Sequence, residues 1–244
     1  MVVEAAKKCR RQHRRGEYGI IWIWGTDLVS ALLTLCPLSC FRTPMHILGI
    51  TGGIATGKST VTQMLAELGA PTVSADAIAR ALLAPGTPTT AAILAAFPAC
   101  ADADDSQKIN RRALAQIIFA GSDARRQLEA LTHPPIIEVL RAQIAEWRVS
   151  GTAHAAAAEI PLLFEAKLEW LVDSIVVVTC SKSDQISRLL VRDAVTEAEA
   201  YRQVAAQWPL AQKEACADYL IQTDDHDLGR ADMRRQVLAL WESL

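Results

Sequence analysis

No two of the six cysteines stand in C-x-x-C spacing, which argues against a zinc site or a disulfide framework and leaves reduced thiols as the reading. Excess charge of one sign is missing as well. A formal net charge of −2 gives no electrostatic case for nucleic acid as the main partner. There is no internal repeat, and no low-complexity tract apart from "AHAAAA" at 153–158. Composition is otherwise ordinary: 51% hydrophobic and 21% charged over 244 residues. That suits one sizeable globular domain, or a domain with an insertion.

The first 44 residues differ from the rest. Seven Lys/Arg against Glu4, Glu17 and Asp27 leave this piece at +4 and the remainder at −6. Basic residues ahead of the apolar stretch 20–38 have the order of a signal or anchor segment. Asp27 falls inside that stretch, however, and a charge there costs about 3 kcal/mol on bilayer insertion. Residues 1–44 therefore read as an appendage outside the fold, with Met45 as the natural start and no membrane association.

From Met45 the pattern is strand, loop, helix. Residues 46–50 form a short apolar run ended by glycines. Val61, Met64, Leu65 and Leu68 then recur at helical spacing, with Gly69 as a stop. Residues 71–74 predict a second strand. Residues 77–149 read as almost wholly helical, punctuated by "APGTP" at 84–88, "ADADDSQ" at 101–107 and His133-Pro134-Pro135. Residues 154–160, 174–180 and 219–222 predict three more strands. Ser183 or Asp184 starts the helix after the fourth strand, Thr196 with Glu199 forms a capping box for the next, and 228–244 closes the chain as an amphipathic helix. Strands alternating with helices imply parallel pairing with right-handed crossovers, hence an α/β sheet covered by helices. The long helical stretch between strands two and three is an insertion at the mouth of the site.

Between the first strand and helix stands "GGIATGKST", with Gly52, Gly57, Lys58 and Ser59 in G-x-x-x-x-G-K-S order. Gly52, Gly53 and Gly57 let the backbone turn with several N–H groups pointing inward. The helix beyond adds the positive end of its dipole. The backbone of Gly52, Gly53, Ala55, Thr56, Gly57, Lys58, Ser59 and Thr60 would cradle a nucleoside triphosphate. Lys58 reaches the β and γ phosphates, and the Ser59 hydroxyl suits magnesium. No N/T-K-x-D segment of guanine specificity occurs, which argues against a GTPase switch. The loop does not choose an acceptor.

Asp76 lies eighteen residues beyond Lys58, at the end of the second strand, where carboxyl ends of parallel strands line a ligand crevice. A carboxylate there can take a proton from an attacking hydroxyl. It can equally cap a helix beginning at Ala77. Arg188 and Arg192 are four apart and share a helical face. They suit a lid that neutralises phosphoryl charge, or a solvated helix paired with Asp184 and Asp193. His133 either belongs to a site or ends a helix. Glu159 and Glu165, flanking "IPLLF", sit near magnesium or mark the strand's exit to water.

Taken in order, "GITGGIATGKST" (49–60), "SADAIAR" (74–80), "NRRALAQIIF" (110–119), "LTHPPI" (131–136), "IPLLFE" (160–165), "QISRLLVRD" (185–193), "QWPLAQK" (207–213) and "ADYLI" (217–221) resemble the dephospho-CoA kinase family. The resemblance implies a P-loop NTPase-type five-stranded parallel core, a helical acceptor-binding insertion over about 77–150, and a lid over about 181–208. It implies phosphorylation of the ribose 3′-hydroxyl of dephospho-coenzyme A with ATP and magnesium, in the cytoplasm, with no nucleic-acid, membrane or obligate protein partner. Carried over by motif, Asp76 would be the base, Lys58 and Ser59 would serve phosphate and metal, and Arg192 with Arg188 would come from the lid. Thr51, Arg80, Arg111 and His133 would contact the acceptor. Two departures stand out. Ser74 occupies the first position of the family's usual D-A-D, and Gln222-Thr223 stands where an asparagine near adenine is usual. The alternatives are a P-loop kinase with another acceptor and a non-catalytic ATP-binding regulatory protein.

Overall fold

The computed structural model describes residues 45–151, 153–223 and 229–244; the expectations for residues 1–44 lie outside them. Five strands form one parallel sheet: β1 (His46–Gly52), β2 (Thr72–Ser74), β3 (Ala155–Glu159), β4 (Ser174–Thr179) and β5 (Tyr219–Gln222). Their spatial order is β2-β3-β1-β4-β5. Helices follow in chain order: α1 (Lys58–Glu67), α2 (Ala75–Leu82), α3 (Pro88–Ala96), α4 (Arg111–Ala120), α5 (Ser122–Ser150), α6 (Lys182–Asp193), α7 (Glu197–Ala205), α8 (Leu210–Ala215) and α9 (Gly229–Glu242).

The sheet is covered on both faces, so its inner strands read as continuous apolar runs. Their side chains still alternate. Ile47, Ala156, Ala158, Ile175 and Val177 join the core beneath Leu140, Ile144 and Trp147 of α5. Leu48, Ile50, Ala157, Val176 and Val178 face Val61, Met64 and Leu65 of α1 and Met233, Val237 and Leu240 of α9. β1 runs two residues beyond the predicted 46–50, because Gly52 stays in register with Val178 of β4. A Cβ at Gly52 would come within 2.2 Å of the Val178 carbonyl oxygen, so the close strand approach demands glycine there.

The insertion between β2 and β3 comprises α2–α5 and has a small core of its own, formed by Ile93, Phe97, Cys100, Ile109 and Leu114. His133-Pro134-Pro135 does not punctuate it, against expectation. α5 is one 29-residue helix with both prolines inside. Interior prolines forfeit hydrogen bonds and typically cost about 3 kcal/mol, but this helix is anchored on both sides of them. Leu128 and Leu131 pack on the insertion's core, while Ile136, Ile137, Leu140, Ile144 and Trp147 pack on the sheet. Burial at both ends outweighs the missing bonds.

α6 and α7 pack together through Ile186, Leu189 and Ala200. Thr196 and Glu199 form the predicted capping box; α6 begins slightly earlier than predicted, at Lys182, because Ser181 caps it. Among the described residues no helix is long and apolar enough to cross a membrane. Cys100 and Cys216 are free thiols.

Candidate active site

The loop from Gly52 to Thr60 leaves the carboxyl end of the central strand and enters α1. Gly57 is left-handed, with φ +90°, and no side chain caps the helix behind it. The first N–H groups of α1 are thus open to an external acceptor, as at anion-binding helix ends. Thr56 is buried and its hydroxyl donates to the Gly53 carbonyl at 2.9 Å. The Lys58 ammonium donates to the same carbonyl at 2.6 Å. Burial pushes the Lys58 ammonium down to about 8; Glu159 and Asp76 oppose this, while Lys213 and Arg192 reinforce it. Four charged groups from distant parts of the chain therefore act on one lysine.

The Ser59 hydroxyl donates to Glu159 Oε1 at 2.8 Å. Glu159 is the last residue of β3 and is buried, so it is not merely a strand's exit to water. Hydroxyl and carboxylate present hard oxygen donors, the chemistry magnesium takes. Among the described residues no cluster of three or more metal-binding side chains occurs.

Asp76 stands in the first turn of α2 and is exposed. It does not cap that helix. The cap is Ser74, whose hydroxyl accepts the Ala77 N–H, so the residue replacing the family's first aspartate has a local task. The Asp76 backbone carbonyl accepts from Arg80 Nε at 3.3 Å, while its carboxylate makes no hydrogen bond or ion pair with the described residues.

The two arginines of α6 divide. Arg192 forms a two-pronged pair with Asp193, at 2.7 and 2.8 Å, and is near enough to act on Lys58. Arg188 is half-buried and is held by the loop and Thr223 rather than by Asp184. It donates to the Ala55 carbonyl at 3.2 Å and to the Thr223 hydroxyl at 3.1 Å and the Thr223 carbonyl. Thr223 in turn donates to the Thr56 carbonyl at 2.6 Å, so the position beyond β5 is tied to the phosphate loop.

Arg80 and Arg111 line one shallow cavity of about 170 Å³ between α2 and α4, with Ala79, Leu83, Ile109 and Leu114. His133 lies half-buried within α5 rather than at a helix end. Thr51, expected against the acceptor, is wholly buried. Its hydroxyl donates to the Pro161 carbonyl at 3.1 Å, which ties β1 to the segment after β3 and leaves it no open face.

Sequence reasoning missed three residues. Lys213 is fully buried, paired with Glu165 at 2.8 Å, and reaches the Gly52 and Pro161 carbonyls at 3.3 and 3.4 Å. Gln185 and Gln207 both bond the backbone of Ile54. The only sequence signal for any of them is membership in the "QISRLLVRD" and "QWPLAQK" segments.

A parallel sheet with a glycine-rich loop at the carboxyl end of its central strand, a lysine and serine opening the next helix, and a free carboxylate across the mouth define a P-loop enzyme acting on nucleotide phosphates. Comparison with known proteins narrows the class. The dephospho-CoA kinase family model matches residues 46–228. The dephospho-CoA kinase of Geobacter metallireducens is 43% identical over 198 residues, covering 81% of this chain and 96% of that one. A crystal structure from Thermus thermophilus matches with TM-score 0.69 at 28% identity, over 83% of this chain and 99% of that chain. Dephospho-CoA kinase from Campylobacter jejuni matches with TM-score 0.57 at 26% identity, over 81% and 96%. This chain belongs to the dephospho-CoA kinase family, and it is a kinase.

Proposed function

We propose that this kinase transfers the γ-phosphoryl group of ATP to the ribose 3′-hydroxyl of dephospho-coenzyme A, giving coenzyme A and ADP. Family membership over residues 46–228 supports the substrate pair. The observation that carries the residue roles is the convergence on Lys58 of Glu159, Asp76 and Arg192, which come from three separate segments.

In this reading the loop amides and Lys58 hold the triphosphate. The Asp76 carboxylate accepts the proton of the attacking hydroxyl as its oxygen bonds the γ-phosphorus. The bond from that phosphorus to the β-bridging oxygen breaks, and ADP leaves with the electron pair. Lys58 and Arg192 spread the charge of transfer, which is mostly positioning and electrostatics. Arg188 supports the loop from its flank through Ala55 and Thr223. Magnesium, held by the Ser59 hydroxyl with Glu159 behind it, would neutralise phosphate oxygens. Arg80 and Arg111, on one cavity in the insertion, serve the acceptor's anionic groups, and His133 belongs to the same domain. Residues 181–208 act as the lid, and the enzyme works in the cytoplasm.

The test is direct. The purified chain is incubated with ATP, magnesium and a panel of hydroxyl acceptors including dephospho-coenzyme A, and products are resolved by mass. Coenzyme A is the expected product. Transfer only to a different acceptor, or ATP binding with no transfer, would overturn the reading.

A further inference from the structure

Ile54, at the outer tip of the phosphate loop, has both of its backbone polar groups held by side chains more than 130 residues away in the chain. Its N–H donates to Gln207 Oε1 at 2.8 Å. Its carbonyl accepts from Gln185 Nε2 at 2.9 Å. Gln185 lies in the first turns of α6 and Gln207 just beyond α7, so the two roots of the α6–α7 segment grip one residue from opposite sides. The peptide between Gly53 and Ile54 has a second attachment. Its carbonyl, on Gly53, accepts from Lys58 at 2.6 Å and from the Thr56 hydroxyl at 2.9 Å. One rigid peptide plane therefore carries Gln207 on its N–H edge and Lys58 on its C=O edge, and planarity forces the two edges to turn together.

Gln185 also shapes the loop sterically. A Cβ on Gly53 would lie 2.2 Å from its amide nitrogen, and Gln185 is itself buried. The backbone partners settle which way each amide faces. An N–H requires the oxygen of Gln207, and a carbonyl requires the nitrogen of Gln185.

We infer that Gln207 and Gln185 are positioning residues of the phosphate loop. By fixing the peptides on either side of Ile54, they set the direction of the Gly53 carbonyl and hence where Lys58 waits for the triphosphate. Both sit at the roots of α6–α7, so any displacement of that segment is transmitted to the loop through these two bonds. The inference rests on the loop's binding ATP as proposed above, but not on the identity of the acceptor.

The chemistry of the two amides provides a test. Gln207→Glu and Gln185→Glu each place one negative charge beside Ile54, so repulsion of ATP weakens both variants. Only at 207 does the carboxylate keep the acceptor that Ile54 uses; at 185 it faces a carbonyl with no donor. ATP affinity, measured by calorimetry on the full chain, should be about three- to tenfold weaker for Gln185→Glu than for Gln207→Glu, the ordinary worth of one hydrogen bond. Equal losses, or the reverse order, would overturn the inference. Because a charge at buried position 185 can unfold the protein, amide exchange at Ile54 gives a second reading from position 207 alone. Protection should survive in Gln207→Glu and fall in Gln207→Leu; equal protection in both would sink the proposal. Both measurements need no acceptor, so a failure of dephospho-coenzyme A as substrate leaves them intact.

Discussion

Ser59, the second residue of α1, donates its hydroxyl to Glu159 at the end of β3 across 2.8 Å. The bond joins the phosphate loop to the neighbouring strand, one hundred residues away along the chain. It exists because β1 and β3 are parallel neighbours with Ile50 opposite Glu159. Both side chains therefore emerge at the same end of the sheet.

Glu159→Gln keeps the shape of that contact and removes its charge. Apparent magnesium affinity, read from initial rates at saturating ATP, should fall about ten- to one-hundredfold, as when the support of a metal site is altered. ATP affinity in metal-free buffer should not fall, since a negative charge near the phosphates is gone. An unchanged magnesium requirement would remove Glu159 from the metal's surroundings.

Asp76→Asn leaves the loop intact while abolishing a proton acceptor. Its kcat should drop about 10²- to 10⁴-fold, the span of general base catalysis, with ATP dissociation constants within about threefold of wild type. Near-normal turnover would show that the hydroxyl's proton goes elsewhere.

Lys58 carries a pH signature because burial pulls its pKa from 10.5 to about 8. Between those values the unfolded chain binds more protons than the folded one. Stability from this group is fully present above about 10.5 and is lost as pH falls through about 8. Binding runs the other way, since a polyphosphate favours the ammonium. At pH 8.5, ATP binding should take up protons, seen as a dependence of the calorimetric heat on buffer ionisation. Lys58→Met should lose that uptake and phosphoryl transfer while unfolding at higher denaturant near neutral pH.

Lys213 and Glu165 form a pair in which the lysine is wholly buried. Lys213→Met strands the Glu165 carboxylate, which also accepts the Trp208 N–H at 3.1 Å. Breaking one side of such a pair costs about 3 kcal/mol or more, measurable by urea unfolding. Removing both charges, as Lys213→Met with Glu165→Leu, should recover part of that loss.

Ser74 tests the departure from the family's usual D-A-D. Ser74→Ala should cost about 1 kcal/mol through the lost cap on α2. Ser74→Asp, an equally good cap, should keep wild-type stability.

The phosphate loop, the capping box at Thr196 and Glu199, and the succession of strands and helices along the chain were legible in the sequence. Each depends on groups a few residues apart or on a periodicity that any window displays. α5 was misread at His133-Pro134-Pro135, since the local rule against interior proline holds only until burial on both sides exceeds its cost. Ser74 took the cap that Asp76 was equally suited to, because α2 starts two residues before Ala77, at Ala75. Glu159 looked like an ordinary strand end because nothing in "AAAAEIPLLF" says that Ser59 lies across from it.

Residue identities alone determined that a polyphosphate would be wrapped by main-chain amides, since a helix entered through glycines exposes N–H groups whatever surrounds it. Only the tertiary structure decided who stands around that loop. Gln185, Gln207, Lys213 and Glu159 approach it from 100 to 161 residues away, and the pairing of β1 with β3 and β4 brings them there. Chain separation carries no record of such meetings; they follow from sheet order and from the direction each buried side chain must take to satisfy its polar end.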